Sequence, residues 1–345
     1  IKLAITSQRM ENLVKRASVK QRLKYRIHVD NSYPEITISM NGIMVATVSD
    51  STRHSHRDIR IGTLELVPWL DRKYSDLQNI THIYKKLRRI IPVKSLKLSL
   101  DTDGLTENSV KEMISIPELT TIKSVQIDGK EVEFDMLKMI MDWLDTKKAI
   151  SVIDWLMPWD FHHPKAFKFS SIYYENAFWV KIEHLLTLEN SEKVELGECE
   201  LSSEDMNRFL KFWIESDLNM FRELRMDNPE LEWTEMTKDL MLVDTSRDGL
   251  EHSILKASRK RKIMGLTAER NCLFLRVYSP DESFSKEYKV LELMEQKEKL
   301  ETELEALVRN GVEARRLSGE IRKLTEELDS MCTFLDDGTV VVAAQ

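Results

Sequence analysis

Between residues 23 and 48 apolar and polar positions alternate: Tyr25, Ile27 and Val29, then Ile36 and Ile38, then Ile43 and Val45 after Asn41-Gly42. A period of two predicts strands, and Asn-Gly between such runs predicts a hairpin, because a type I′ turn needs φ > 0 at both central residues. The opening residues are spaced differently. Leu3, Met10, Leu13, Val14 and Ala17 fall near helical spacing among Lys and Arg, as at the end of a small helical unit. After a polar loop, a strand is expected over 59–67 and a helix near 76–91.

From residue 93 the pattern recurs. Val93, Leu96 and Leu98 match Ile122, Val125 and Ile127 at a separation of 29, and Val194 and Leu196 match Leu224 and Met226 at 30. A strand-helix unit is therefore expected to repeat, irregularly, over about 93–245, with mainly parallel strands. Further strands are expected at 149–153 and 166–170. Val194, Leu196, Cys199 and Leu201 fit the line of a leucine-rich repeat, with Cys199 as a turn residue. Ser202 and Asp205 then form an S-x-x-D box, followed by Met206, Phe209, Leu210, Trp213 and Ile214 on one helical stripe. Phe134, Leu137, Ile140, Met141 and Leu144 repeat that design.

Over 286–331 the chain is rich in Glu, Lys, Arg and Leu. One seam runs through Leu293, Leu300, Leu304 and Leu307, and a second through Leu317, Ile321, Leu324, Leu328 and Met331. They are out of phase across Asn310-Gly311, so two antiparallel helices are expected rather than one coil. The fold class is thus α/β. Its expected parts are a short helical segment (1–20), a β-hairpin and irregular leucine-rich-repeat-like units within 21–280, a helical hairpin (286–331) and a tail (332–345).

Composition narrows the class. With 42% hydrophobic and 32% charged residues in 345, the chain is expected to fold, with enough length for about two domains. No apolar run nears the roughly 18 residues of a membrane helix, so no membrane partner is expected. The first residue is Ile, and an authentic N-terminus upstream of it is expected. A net charge of −7 argues against nucleic acid as a general partner. Eight Lys or Arg against one Glu in residues 1–26, and SRKRK at 258–262, are local exceptions; the second reads as a solvated loop or a nuclear-import patch. Cys199, Cys272 and Cys332 lie too far apart in sequence for a zinc ribbon, and reduced thiols in an intracellular protein, cytoplasmic or nuclear, are expected.

Motifs for nucleotide binding, zinc proteolysis, serine hydrolysis and calcium are absent, and neither His54/His56 nor His162-His163 has metal-ligand company. No enzyme activity and no cofactor are expected. The segment 154–167 stands out instead. Trp155, Trp159, Phe161, His162 and His163 cluster around two prolines, and aromatic side chains held in a loop are good anchors for a protein partner. The competing reading has Trp155, Trp159 and Phe167 cover the core.

Three stretches carry a family resemblance. IKLAITSQRMENLVKRA resembles the closing helices of a nematode F-box, KYRIHVD with ITISMNG resembles the strand pair that follows, and FWVKIEHLLTLENSEKVELGECELSSEDMNRFLKFWI closely resembles a type 2 F-box-associated domain. The resemblance implies that 1–20 is the C-terminal remnant of an F-box and that 21–280 is a substrate-recognition domain. It further implies a substrate-recognition subunit of an SCF-type cullin-RING ubiquitin ligase, with the Skp adaptor, the cullin complex and an unknown protein substrate as partners. Leu3, Ile5, Met10 and Leu13 are the adaptor-side candidates. A non-ligase interaction scaffold is the alternative, since composition and periodicity support it equally.

Overall fold

The computed structural model describes residues 23–29, 35–40, 43–49, 71, 73–90, 93–103, 105–129, 134–154, 157–247, 249–281, 283–307, 311–335 and 339–342. The expected helical segment at 1–20 and the strand at 59–67 lie outside them. Two units make up the chain, 1–176 and 177–345.

The strands of the first unit are β1 (Leu23–Val29), β2 (Glu35–Met40), β3 (Ile43–Ser49), β4 (Val93–Asp101), β5 (Ser124–Asp128), β6 (Ala149–Ile153) and β7 (Ser171–Asn176). They lie in the order β3-β2-β1-β4-β5-β6-β7. β1, β2 and β3 are antiparallel, with Met40 opposite Ile43 across the two-residue link that Asn-Gly predicts. From β1 through β4 to β7 every pairing is parallel. Parallel neighbours need crossovers, and helices supply them: α1 (Asp76–Ile90) before β4, α2 (Glu107–Ser115) before β5, α3 (Phe134–Trp143) before β6.

Each helix buries one stripe. In α1 it comprises Leu77, Ile80, Ile83, Tyr84 and Leu87, with the Tyr84 ring edge-on to Tyr25 at 5.8 Å. In α3 it comprises Met136, Leu137, Ile140 and Met141. Leu96, Leu98, Val125, Ile127, Ile150 and Val152 complete this core, each contributing on the order of 1.5–3 kcal/mol by leaving water. Leu98 pairs with Val125, an offset of 27 rather than the 29 of the sequence match. The slip of two keeps both residues on one face, so the pattern survives it. At the end of β4 the Thr102 hydroxyl donates to the Asp128 carbonyl at 3.0 Å. Gly129 follows at φ 127°, where a Cβ would strike that hydroxyl.

One expected strand moves. Residues 166–170 form turns, in which Ala166 N–H bonds His163 O and Lys168 N–H bonds Lys165 O. Those donors are engaged locally, and the strand begins at Ser171.

The second unit holds β8 (Ser191–Glu198), β9 (Phe221–Asp227), β10 (Val243–Arg247), β11 (Leu250–Lys256), β12 (Ile263–Glu269), β13 (Cys272–Tyr278), β14 (Thr333–Phe334) and β15 (Val340–Val342). Their order is β14-β15-β10-β11-β12-β13-β9-β8. Its helices are α4 (Ile182–Leu185), α5 (Ser203–Glu215), α6 (Trp233–Met236), α7 (Ser285–Ala306) and α8 (Gly311–Met331). β8 and β9 are parallel around α5, with Val194 opposite Leu224 and Leu196 opposite Met226. The capping box of α5 is formed by Ser202 and Asp205, and Met206, Phe209, Leu210 and Trp213 are buried. β10 to β13 form an antiparallel meander that the sequence pattern did not predict.

α7 and α8 run antiparallel, with Lys289 Nζ 3.8 Å from Glu327 near one end. Their base packs on the meander through Val290, Leu291, Leu293 and Leu328 against Val243, Ile254 and Ile263. An ion pair buried on its carboxylate side locks the entry to α7: Arg247 donates to both oxygens of Glu287, at 2.9 and 3.0 Å, while its guanidinium lies 4.2 Å from the Phe284 ring centre. The SRKRK run forms the β11–β12 turn, where Lys260 Nζ lies over Trp213 and Arg261 pairs with Asp281.

Candidate functional site

The loop between β6 and β7 carries the aromatic cluster. It leaves β6 through Asp154, a left-handed residue (φ 56°) whose N–H donates to Glu175 Oε2 at 2.6 Å. Pro158 opens a turn closed by Phe161 N–H on its carbonyl, and Trp159 occupies the tip with 74% of its surface exposed. Proline at this position restricts the backbone that presents the indole.

Below the tip the loop is tied down. Phe161 is 4% exposed and His163 8%. His163 Nδ1 accepts the Lys165 N–H at 3.2 Å, so its proton sits on Nε2, 3.2 Å from Asp142 Oδ1. Burial lowers the His163 pKa; the Asp142 carboxylate opposes this without reversing it. Lys165 Nζ bonds the Asp142 and Leu144 carbonyls at 2.6 and 3.3 Å, capping the C-terminal end of α3. Tyr174 donates to the Ala166 carbonyl at 2.7 Å and meets Phe167 edge-on. Burial pushes its phenol well above the usual value.

The five partner-binding candidates therefore separate. Trp159 and His162 face outward, Phe161 and His163 face inward, and Trp155 lies outside the described residues. Phe167 is buried, as the core reading expects, whereas Trp159 is not. The adaptor-side candidates Leu3, Ile5, Met10 and Leu13 also lie outside the described residues. Sequence reasoning missed Asp142 and Lys165, which fix the loop. A cation two residues after a histidine is too common a signal to have found them.

At the end of β8 a second set of bonds joins successive turns. Cys199 N–H and Sγ approach the Asp227 carbonyl at 3.3 and 3.8 Å, and Asn228 Nδ2 donates to the Leu201 carbonyl at 2.7 Å. Burial pushes the Cys199 thiol up to about 11. It stays protonated at neutral pH and acts as a packing and turn residue. Among the described residues no group of three or more His, Cys, Asp or Glu side chains could hold a metal ion, and no helix is long and apolar enough to cross a membrane.

The loop tip coincides with the start of a family match. Residues 160–233, from Asp160 beside the exposed indole to Trp233 at the start of α6, match the F-box associated family. Over these residues the chain is similar to an F-box-associated domain. Over 202 residues the chain is 24% identical to the Skn-1 dependent zygotic transcript 15 protein of Caenorhabditis elegans, covering 56% of this chain and 57% of that protein. The chain thus spans little more than half the length of this nematode relative. No solved structure matches. Within the matched segment lie His163 and Lys165, the parallel pair β8 and β9, and the capped helix α5, while Asp142 precedes it.

Proposed function

We propose that this protein is a substrate-recognition subunit of an SCF-type cullin-RING ubiquitin ligase. Its F-box region would grip the Skp adaptor and its F-box-associated domain would hold the protein to be modified. The observation that carries the reading is the F-box associated match over residues 160–233. Two structural features support it. The loop at its start is rigid below and exposes an aromatic side chain above, the arrangement of an interface anchor. We also read the strand-helix units as irregular leucine-rich-repeat-like, supported by the turn-to-turn bonds of Cys199 and Asn228.

The test is site-specific photocrosslinking from the loop. With p-benzoylphenylalanine in place of Trp159, the full-length protein in nematode cells should crosslink to a partner whose abundance rises when this protein is depleted. A partner whose abundance is unaffected by depletion, held by a protein that never joins the adaptor, would favour the non-ligase scaffold.

A further inference from the structure

On the face of the second unit's meander opposite α7, one register row reads Val341, Asp244, Ser253, Leu266 across β15, β10, β11 and β12. Alternation puts Val243, Ile254 and Ile263, which meet the helical hairpin, on the other face. With Trp233 and Glu251, this row lines a hollow of about 470 Å³, within the usual range for ligand sites.

Its charges are unbalanced. The half-buried Asp244 carboxylate accepts a hydrogen bond from the Ser253 hydroxyl, and neither Asp244 nor Glu251 makes an ion pair among the described residues. Among the described residues no Lys or Arg lines the hollow. His252 touches its edge, but its ring is engaged on the other face, with Nδ1 2.7 Å from Thr267 Oγ1 and an edge against Phe284. Three other carboxylates of the same unit do have cations: Glu287 has Arg247, Glu295 has Lys256, and Asp239 faces Lys211. The Ser253 hydroxyl meets part of the Asp244 carboxylate's need for donors but brings no counter-charge, and an aromatic side chain, Trp233, in the same lining adds an attraction specific to cations.

We infer that this hollow receives the side chain of an arginine or lysine on a bound protein segment. Asp244 and Glu251 would take the charge, Trp233 would stack on the cationic end, and Leu266 and Val341 would cover the aliphatic stem. The inference deepens the reading of this chain as a receptor for a protein partner and rests on it for the source of the cation.

The probe is N-acetyl-glycyl-arginyl-glycine amide, titrated into the full chain while the indole N–H signal of Trp233 is followed by NMR, assigned with Trp233→Phe. The expected result is a saturable shift, no such shift with the neutral citrulline peptide, and affinity at least about tenfold weaker in Asp244→Asn, since a charge-assisted bond is lost. Absence of a saturable shift, or an equal response to the citrulline peptide, overturns the inference in the wild-type protein whatever the variant does. An unchanged affinity in a folded Asp244→Asn variant overturns it as well. The receptor reading gives the adaptor to the F-box region and not to this hollow, so that reading and the cation site fail separately.

Discussion

His163 Nε2 lies 3.2 Å from Asp142 Oδ1, a contact that fastens the aromatic loop to the C-terminal end of α3 across 21 residues. With the Nδ1 bond to Lys165 N–H it makes the neutral imidazole a structural part. Because burial lowers its pKa, the unfolded chain takes up this proton at higher pH than the folded chain. The stability contributed is complete above the unfolded value of about 6.5 and is lost as pH falls below it, levelling off below the folded value. Thermal unfolding at pH 7.5 and 5.5 should show the wild type losing more stability than His163→Gln over that step. Parallel losses would remove the histidine from the loop's anchorage.

Trp159 and Phe161 should respond oppositely to truncation. Trp159→Ala is expected to change unfolding free energy by no more than about 0.5 kcal/mol while costing partner binding about 2 kcal/mol or more. Phe161→Ala, which empties a core site, should cost about 3–5 kcal/mol of stability. Denaturant unfolding of both variants checks the first half, and binding of the crosslinked partner checks the second.

Arg247→Ala should destabilise the second unit by about 1–3 kcal/mol, less than for a fully buried pair because solvent reaches the Arg247 side. Glu287 is 1% exposed and would be left charged without its cation. Glu287→Gln in the same chain should recover part of the loss. A single variant as stable as the wild type in urea would show that the carboxylate finds other solvation.

Ser202→Ala removes the side-chain acceptor for the Asp205 N–H at the start of α5. A loss of about 1 kcal/mol is expected. Hydrogen exchange should locate it, with faster exchange in the first turn of α5 and unchanged protection in β8.

How much of this could be read beforehand depended on where burial is one-sided. α5 was legible because a capping box precedes a stripe at i, i+3, i+4 and i+7, and the offset of 30 between Val194 and Leu224 is also their lateral register. The meander was not legible. In β11 Ser253, Ile254 and Leu255 are all buried, and in β12 burial is continuous from Ile263 to Leu266, so neither run alternates. The loop had no period to separate the outward Trp159 from the inward Phe161, and the Asp142 that orients His163 comes from another element. The hollow at Asp244 depends on three strand pairings that no local pattern encodes.

The receptor account is tested most directly by co-expressing the full-length protein with the Skp adaptor and measuring the mass of the eluting species by gel filtration with light scattering. A 1:1 complex is predicted, formed equally by Trp159→Ala because the account places that side chain on the substrate side. A folded full-length protein that elutes without the adaptor would contradict the account.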